Sequence, residues 1–307
     1  MHSSIKTVLL TGATGFLGSN LLSGLLATGY NVVVVKRSHS RIDKIKDCLK
    51  ATKVYNIDEC GIEKPFKDNT IDAVLHVATM YARESTAFYD VVDSNISFGV
   101  RLLDLCSDFN VKLFVNTDTF SNDGDVTQTY LGSYILSKKQ FAEWMFLRKF
   151  RYKTINLKLQ HMYGPKDETS KFIPWVITQL ANAPPFLDFT PGMQKRDFVY
   201  VEDVVSAYLK ILECFDSLPQ AFTYNVGTGI KTTLKDMIQQ IRIAASFWIT
   251  ISTEFCFGAL CYRAGEKLDV ETDISPLRAL GWEPLFDIAT GLYKTVDYYL
   301  QNRLIKR

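Results

Sequence analysis

Tyr134 and Lys138 stand four residues apart in Gly132-Ser133-Tyr134-Ile135-Leu136-Ser137-Lys138, a spacing that puts both side chains on one face of a helix. The pair suits proton transfer. A phenol with a pKa of about 10 is a poor acid–base group at neutral pH, and an ammonium beside it stabilises the phenolate and draws it toward the working range. Thr117 and Thr119, just past the apolar run Val111 to Asn116, offer a hydroxyl for the same substrate oxygen. Taken alone, Tyr-x-x-x-Lys is an ordinary helix surface pair. The glycines upstream change its weight: in Lys6-Thr7-Val8-Leu9-Leu10-Thr11-Gly12-Ala13-Thr14-Gly15-Phe16-Leu17-Gly18 an apolar strand runs into a Gly-x-x-Gly-x-x-Gly turn and then a helical pattern. Gly12 permits the turn, Gly15 lets backbone approach a diphosphate, and Gly18 lets helix and strand pack closely. The diphosphate is expected at the helix N-terminus, where unpaired N–H groups point.

The elements that must position these groups alternate. Val32 to Val35 is the second strand, Arg41 to Leu49 a helix, Lys53 to Ile57 a strand ending at Asp58, and Ile71 to Ala78 the fourth strand. A long helix is expected from Thr86 to Asp108, then the fifth strand. Strict alternation of strand and helix predicts an α/β fold, a doubly wound parallel sheet with helices on both faces. Ligands bind such sheets at the carboxyl ends of the strands. The ends at Gly12, Arg37, Asp58, Ala78 and Thr117 are therefore expected to line one edge. Where the second strand ends, Lys36-Arg37-Ser38 carries no acid to meet a ribose 2′-hydroxyl, so these residues, with Arg41 nearby, favour a 2′-phosphate and hence NADP over NAD. Asp58 suits an adenine edge, small Ala78 and Thr79 let the chain pass beneath a cofactor, and His76 reads as a core histidine.

From about Thr169 the chain changes character: Pro174, Pro184-Pro185, Pro191 and Gly192 break it into shorter elements, as expected of a smaller substrate-binding lobe. The expected boundaries are 1–168 for the dinucleotide domain, with returning segments near 196–213, and 169–307 for the lobe. Helices are expected at Val201 to Cys214, Leu234 to Ile243 and Ile288 to Leu300. Ile243 to Leu260 is unusually apolar and reads as a buried strand or subunit contact. The 307 residues are 47% hydrophobic and 22% charged with net charge +2, ordinary for a soluble globular chain and without a global signal for nucleic acid or membrane. A cytoplasmic protein is expected. The six cysteines lack Cys-x-x-Cys spacing and read as reduced, mostly buried thiols; the four scattered histidines point to no metal.

Together these motifs resemble the extended short-chain dehydrogenase/reductases of the NAD-dependent epimerase/dehydratase type. The resemblance rests on Thr11 to Gly18, Tyr134-x-x-x-Lys138, His161-Met162-Tyr163-Gly164-Pro165, Arg196-Asp197-Phe198-Val199-Tyr200-Val201-Glu202-Asp203, Asn225-Val226-Gly227-Thr228-Gly229, Arg263-x-Gly265-Glu266 and Ala279-Leu280-Gly281-Trp282. Within the family, Leu157 to Gly164 and Gly192 to Phe198 are most similar to the bacterial group that makes CDP-abequose and CDP-paratose by reducing a 4-keto-3,6-dideoxyhexose on a nucleoside diphosphate. The resemblance implies Thr117, Tyr134 and Lys138 as the catalytic set, with Thr119 close by. It implies cofactor contacts from Gly12, Thr14, Gly15, Phe16, Leu17, Gly18, Lys36, Arg37, Ser38, Ile57, Asp58, Ala78, Thr79, Met80, Asn95, Tyr134, Lys138 and His161. Substrate contacts are implied for Tyr81, Arg83, Thr119, His161, Lys171, Arg196, Tyr200, Arg263 and Glu266, with Arg196 and Arg263 on the diphosphate and Glu266 on the ribose. His161 stands where the family has Asn, and Thr117-Asp118-Thr119 lacks the Asp-Glu pair of the 4,6-dehydratases, which disfavours water elimination. The expected reaction is NADPH-dependent reduction of a 4-keto group on a CDP- or dTDP-linked deoxyhexose for bacterial O-antigen, by a homodimer paired through the helices Thr86–Asp108 and Tyr130–Phe150. An NAD-dependent nucleotide-sugar 4-epimerase and a non-catalytic NADP sensor are the rival readings.

Overall fold

The computed structural model describes residues 4–82, 86–122, 131–263 and 265–304. They group into two compact units: the chain through Leu159 with Val205–Val226 and Pro276–Trp282, and Gln160–Val204 with Gly227–Ser275 and Glu283 onward.

The first unit is built on seven parallel strands, β1 (Thr7–Thr11), β2 (Asn31–Lys36), β3 (Lys53–Asn56), β4 (Ala73–His76), β5 (Leu113–Thr119), β6 (Lys153–Leu159) and β10 (Ala221–Val226), in the order β10-β6-β5-β4-β1-β2-β3. The order reverses between β1 and β4, and there the glycine turn lies. Strands buried on both faces run as near-continuous apolar stretches. Leu9, Leu10, Val34, Val74, Leu75 and Val115 accordingly have no exposed surface, each contributing about 1.5–3 kcal/mol. Register pairs Thr11 with Val35 and His76, and His76 with Asn116, so the strand ends do fall along one edge. Asp72 ties the opposite edge, accepting from the N–H groups of Lys6 and Thr7 at 2.9 and 3.0 Å and pairing with Lys112 at 2.7 Å.

Helix α1 (Phe16–Ala27) follows the glycine turn. The helix expected at Arg41 to Leu49 is only a 3-10 turn, Lys46–Ala51, because its charged residues give no apolar stripe to hold against the sheet. Beyond β4 the long helix α2 is α-helical over Phe88–Val92 and Phe98–Asp108 with a π-helical turn, Asp93–Ser97, between. Helix α3 (Gly132–Leu147) packs on α2 so closely that a Cβ on Gly99 would lie 2.4 Å from the Phe141 ring. Helix α5 (Val201–Glu213) buries Val204, Ala207, Tyr208 and Ile211 along one face.

In the second unit, β7 (His161–Tyr163), β9 (Lys195–Tyr200) and β11 (Lys231–Thr233) form one sheet, ordered β11-β9-β7, and β8 (Phe186–Phe189) pairs in parallel with β12 (Glu254–Phe257). Helices α4 (Phe172–Asn182), α6 (Leu234–Ser246) and α7 (Ile288–Leu304) complete it. Asp197, 1% exposed, accepts from Thr228 N–H and hydroxyl at 2.8 and 2.7 Å and from Gly229 N–H at 2.9 Å. A Cβ on Gly227 would strike that carboxylate at 2.4 Å. The Arg196-Asp197 and Gly227-Thr228-Gly229 motifs are thus one hydrogen-bonded corner. The apolar segment 243–260 divides: Phe255 and Phe257 are half-buried in β12, whereas Phe247 is exposed. The cysteines also divide, with Cys106 fully buried but Cys60 and Cys261 exposed, against the expectation of mostly buried thiols. No helix among the described residues is long and apolar enough to cross a membrane.

Candidate active site

The glycine turn has the shape a diphosphate needs. Gly12 takes φ +69°, and a Cβ there would lie 2.6 Å from Ala78 N; a Cβ on Gly18 would lie 2.0 Å from the Gly12 carbonyl oxygen. Gly15 caps α1 without a side-chain hydrogen bond and no acid occupies the first turn, so N–H groups at Phe16, Leu17 and Gly18 are left for an anion. Thr14 stands in the turn itself. Thr11 braces it: its hydroxyl accepts from Val77 and Ala78 N–H at 3.0 Å each and meets His76 Nδ1 at 3.1 Å. With its lone pairs engaged, Thr11 donates to Nδ1 and sets His76 as the Nε2–H tautomer. His76 is buried and its pKa falls to about 3 through desolvation, then through the Lys138 charge; it is the core histidine expected.

At the end of β2, Lys36 Nζ donates to the Arg37 and Ser38 carbonyls at 3.2 and 3.4 Å, and all three residues sit at the surface. Asp58 lies in the helical turn Ile57–Cys60 beyond β3, not at a strand end. Its carboxylate accepts from Ser38 N–H at 2.8 Å and Ser38 hydroxyl at 2.7 Å, with His39 4.0 Å away. Ser38 and Asp58, both expected at the cofactor, are thus hydrogen-bonded to each other.

Asn95 occupies the π-turn of α2, 2% exposed. Its Oδ1 accepts from Met80 N–H at 2.7 Å, and its Nδ2 donates to the Met80 carbonyl at 3.0 Å and to Ser137 Oγ at 2.9 Å. Ser137 in turn donates to the Tyr134 carbonyl at 2.8 Å. The Asn95 amide, expected at the cofactor, joins the loop Ala78 to Met80 to the helix that carries Tyr134. Thr79 lies in the same loop.

Strand alternation puts Thr117 and Thr119 on one face of β5, and the two hydroxyls have different partners. Thr119 accepts from Ser121 N–H at 3.2 Å and is close enough to the Tyr134 phenol to act on its pKa. Thr117 Oγ1 lies 2.6 Å from the Tyr208 hydroxyl. Of the two candidate active-site hydroxyls, Thr117 is turned to Tyr208 and Thr119 lies near Tyr134. Lys138, 2% exposed, donates to the Thr117 carbonyl at 2.6 Å. Burial lowers its pKa to about 8, with Asp118 acting to hold the proton on. Burial pushes the Tyr134 phenol up to about 12, Thr119 opposing and Asp118 reinforcing. The expected lowering by Lys138 is not seen: the ammonium points to a carbonyl, and desolvation outweighs it. The Tyr81 ring, 42% exposed, lies 4.9 Å from the Tyr134 ring; Arg83 lies outside the described residues.

Residues that the sequence reading passed over hold this edge. Asp118, on the opposite face of β5, accepts from both Asn122 and Asn156 Nδ2 within 2.8 Å and from Thr119 N–H at 2.8 Å, and Asn116 Nδ2 donates to Asn156 Oδ1 at 2.8 Å. Polar residues at paired positions of two apolar strands, Asn116 opposite Asn156, were the available signal.

In the second unit Arg196 and Glu266 meet at 3.2 Å, Gln194 Nε2 reaches the same carboxylate oxygen at 3.2 Å, and Arg263 N–H reaches the other at 3.4 Å. The Arg263 side chain is exposed. His161 is held neutral, its pKa near 3, by burial and then by Arg196. Lys171 stands at the N-cap of α4. Tyr200 leaves the candidate set: it is 1% exposed, packs its ring 4.7 Å from Phe286 and donates to Glu202 at 3.2 Å.

A parallel sheet with a glycine-rich switch point, and a Tyr/Lys pair beside the adjoining strand end, defines a dinucleotide-dependent oxidoreductase. The chain belongs to the NAD-dependent epimerase/dehydratase family, whose model matches residues 8–227 and whose members are NAD(P)-dependent enzymes acting on nucleotide sugars. Among curated relatives, the CDP-abequose synthases of Salmonella typhimurium (strain LT2) and Salmonella muenchen are 32% and 33% identical, over 93% and 95% of this chain and 95% and 97% of theirs. Among solved structures, a UDP-N-acetylglucosamine 4-epimerase from Methanobrevibacter ruminantium M1 superposes with TM-score 0.82 at 20% identity, covering 98% of this chain and 100% of its own. A UDP-glucose 4-epimerase from Stenotrophomonas maltophila, with NAD bound, gives 0.83 at 20% over 98% and 99%. These structural neighbours establish the fold.

Proposed function

We propose that the chain is an NADPH-dependent reductase of the 4-keto group of a nucleoside-diphosphate-linked deoxyhexose, CDP- or dTDP-linked, serving bacterial O-antigen synthesis. The observation that carries the proposal is the buried Lys138 ammonium anchored on the Thr117 carbonyl at 2.6 Å, one helical turn from Tyr134 on the same helix. The relatives named CDP-abequose synthase support the substrate class.

The residues fit a dinucleotide: a glycine cradle too tight for a Cβ at Gly12 and Gly18 and crowded at Gly15, bare N–H groups at the start of α1, and Lys36 with Arg37 for a 2′-phosphate. When bound, its nicotinamide would supply a hydride to C4. Tyr134 would donate its proton to the developing alkoxide. A phenol near 12 keeps that proton at neutral pH, yet an alkoxide is the stronger base, so the transfer runs downhill. Thr119 would orient the substrate carbonyl and share the charge, and Lys138 would hold the nicotinamide ribose and keep a positive charge close to Tyr134. On the second unit Arg196 and Arg263 would take the diphosphate and Glu266 the nucleoside ribose, the diphosphate competing with Glu266 for the Arg196 fork.

Tyr134→Phe tests the proposal: NADPH-driven reduction should fall by about 10²–10⁴-fold while NADPH still binds. Turnover unchanged in that variant defeats it.

A further inference from the structure

Two threonines on one face of β5 can each offer a hydroxyl toward Tyr134, so something must decide between them. Thr117 is held at two points. Its Oγ1 lies 2.6 Å from the hydroxyl of Tyr208, which has no exposed surface, and its carbonyl receives Lys138 Nζ at 2.6 Å. Thr117 is itself 8% exposed. In so dry a setting each hydroxyl needs the other, because leaving either unpaired costs its full desolvation. The Tyr208 ring is fixed by the buried face of α5, where Val204, Ala207 and Ile211 are fully enclosed, so the phenol is a rigid anchor. Two residues further on, on the same face of β5, the Thr119 hydroxyl accepts from Ser121 N–H at 3.2 Å and lies close enough to Tyr134 to act on its phenol.

We infer that Tyr208 is a positioning residue: it takes up the Thr117 hydroxyl, fixes the carbonyl on which the Lys138 ammonium sits, and leaves Thr119 as the hydroxyl that serves Tyr134 and the substrate. The inference rests on the reductase reading above. Tyr208 has no exposed surface, so its effect passes through Thr117, and the two residues act as one unit. Thr117 contributes its main-chain oxygen to the site while its side chain faces the anchor.

The test compares wild type, Tyr208→Phe, Thr117→Val, the double variant and Thr117→Ser in NADPH-driven reduction of a 4-keto nucleotide sugar. Tyr208→Phe and Thr117→Val should each lower kcat roughly tenfold, with KM for the sugar nucleotide and Kd for NADPH within about twofold. The double variant should be no slower than either single one, because both remove the same link. Thr117→Ser, which keeps the hydroxyl, should recover the kcat that Thr117→Val loses; a merely structural role would show instead as loss of binding and melting temperature. A Tyr208→Phe enzyme with the wild-type kcat, or factors that multiply in the double variant, would overturn the inference. So would Thr117→Val losing all activity beside a silent Tyr208→Phe, since Thr117 would then meet the substrate itself. If Tyr208→Phe fails to fold, the Thr117 pair decides, and Thr117→Val equal to wild type overturns it. A wild-type protein that reduces no 4-keto nucleotide sugar overturns the reductase reading, and the inference with it; an active wild type with an unchanged Tyr208→Phe overturns the inference alone.

Discussion

Lys138 carries a charge that burial penalises, and this gives activity and stability opposite responses to alkali. Its folded pKa of about 8 lies below the ordinary 10.5, so above pH 8 the folded protein has lost a proton that the unfolded chain still holds. Between those values the Lys138 contribution to stability therefore rises with pH, while turnover, which needs the ammonium, falls. A pH–rate profile with an alkaline limb near 8, set beside urea midpoints for wild type and Lys138→Met, checks both signs. The limb should vanish with activity in the variant, and its urea midpoint should lose the alkaline rise. His76 and His161, both held neutral with pKa values near 3, should leave no inflection around pH 6. Lys36→Ala and Arg37→Ala should each weaken NADPH binding by about 10–100-fold, the worth of a charged hydrogen bond, and leave NADH affinity nearly unchanged; paired titrations decide. At this scale the sequence displayed Tyr134 and Lys138, because a four-residue spacing is a local fact. It could not display that Lys138 would point at a main-chain carbonyl, nor that Tyr208, ninety-one residues from Thr117 in the chain, would claim that hydroxyl. Those depend on long-range packing that no spacing encodes.

The elements were legible wherever burial is two-sided. Val32 to Val35 and Leu113 to Val115 can only be interior strands, and the glycine turn between β1 and α1 follows from steric need: Gly18→Ala would force a Cβ to 2.0 Å from a carbonyl oxygen. That substitution should cost about 1–3 kcal/mol, as overpacking does, and abolish dinucleotide binding; urea denaturation with cofactor titration measures both. Where an element is one-sided and charged the reading failed, as at Arg41 to Leu49, which forms no α-helix. The π-turn at Asp93–Ser97 was also invisible, since it arises from Asn95 being held by Met80 and Ser137. Asn95→Ala removes three hydrogen bonds that join the loop after β4 to α3. It should destabilise by a few kcal/mol and slow catalysis through misplacement of Tyr134, seen as a lower kcat with a lower melting temperature.

For the whole molecule, we propose a homodimer. Helix α2 exposes Phe88 and Tyr89 at 77% each, and α3 exposes Trp144 at 53% and Leu147 at 76%, apolar surface of the kind that marks an interface. Trp144→Glu with Leu147→Glu should yield monomers at micromolar concentration by light scattering, whereas wild type that is already monomeric there would refute the dimer. From the sequence a dinucleotide domain with a return near 196–213 and a smaller lobe are expected, and the compact first unit takes in Val205–Val226 and Pro276–Trp282. A parallel sheet recruits its last strand and covering helix from far along the sequence. The proposal as a whole turns on net consumption of reduced cofactor. Purified protein incubated with NADPH and a CDP-linked 4-keto-dideoxyhexose should oxidise one NADPH for each sugar reduced at C4. Sugar inverted at C4 with no loss of NADPH, by protein that carries tightly held NAD, would contradict it.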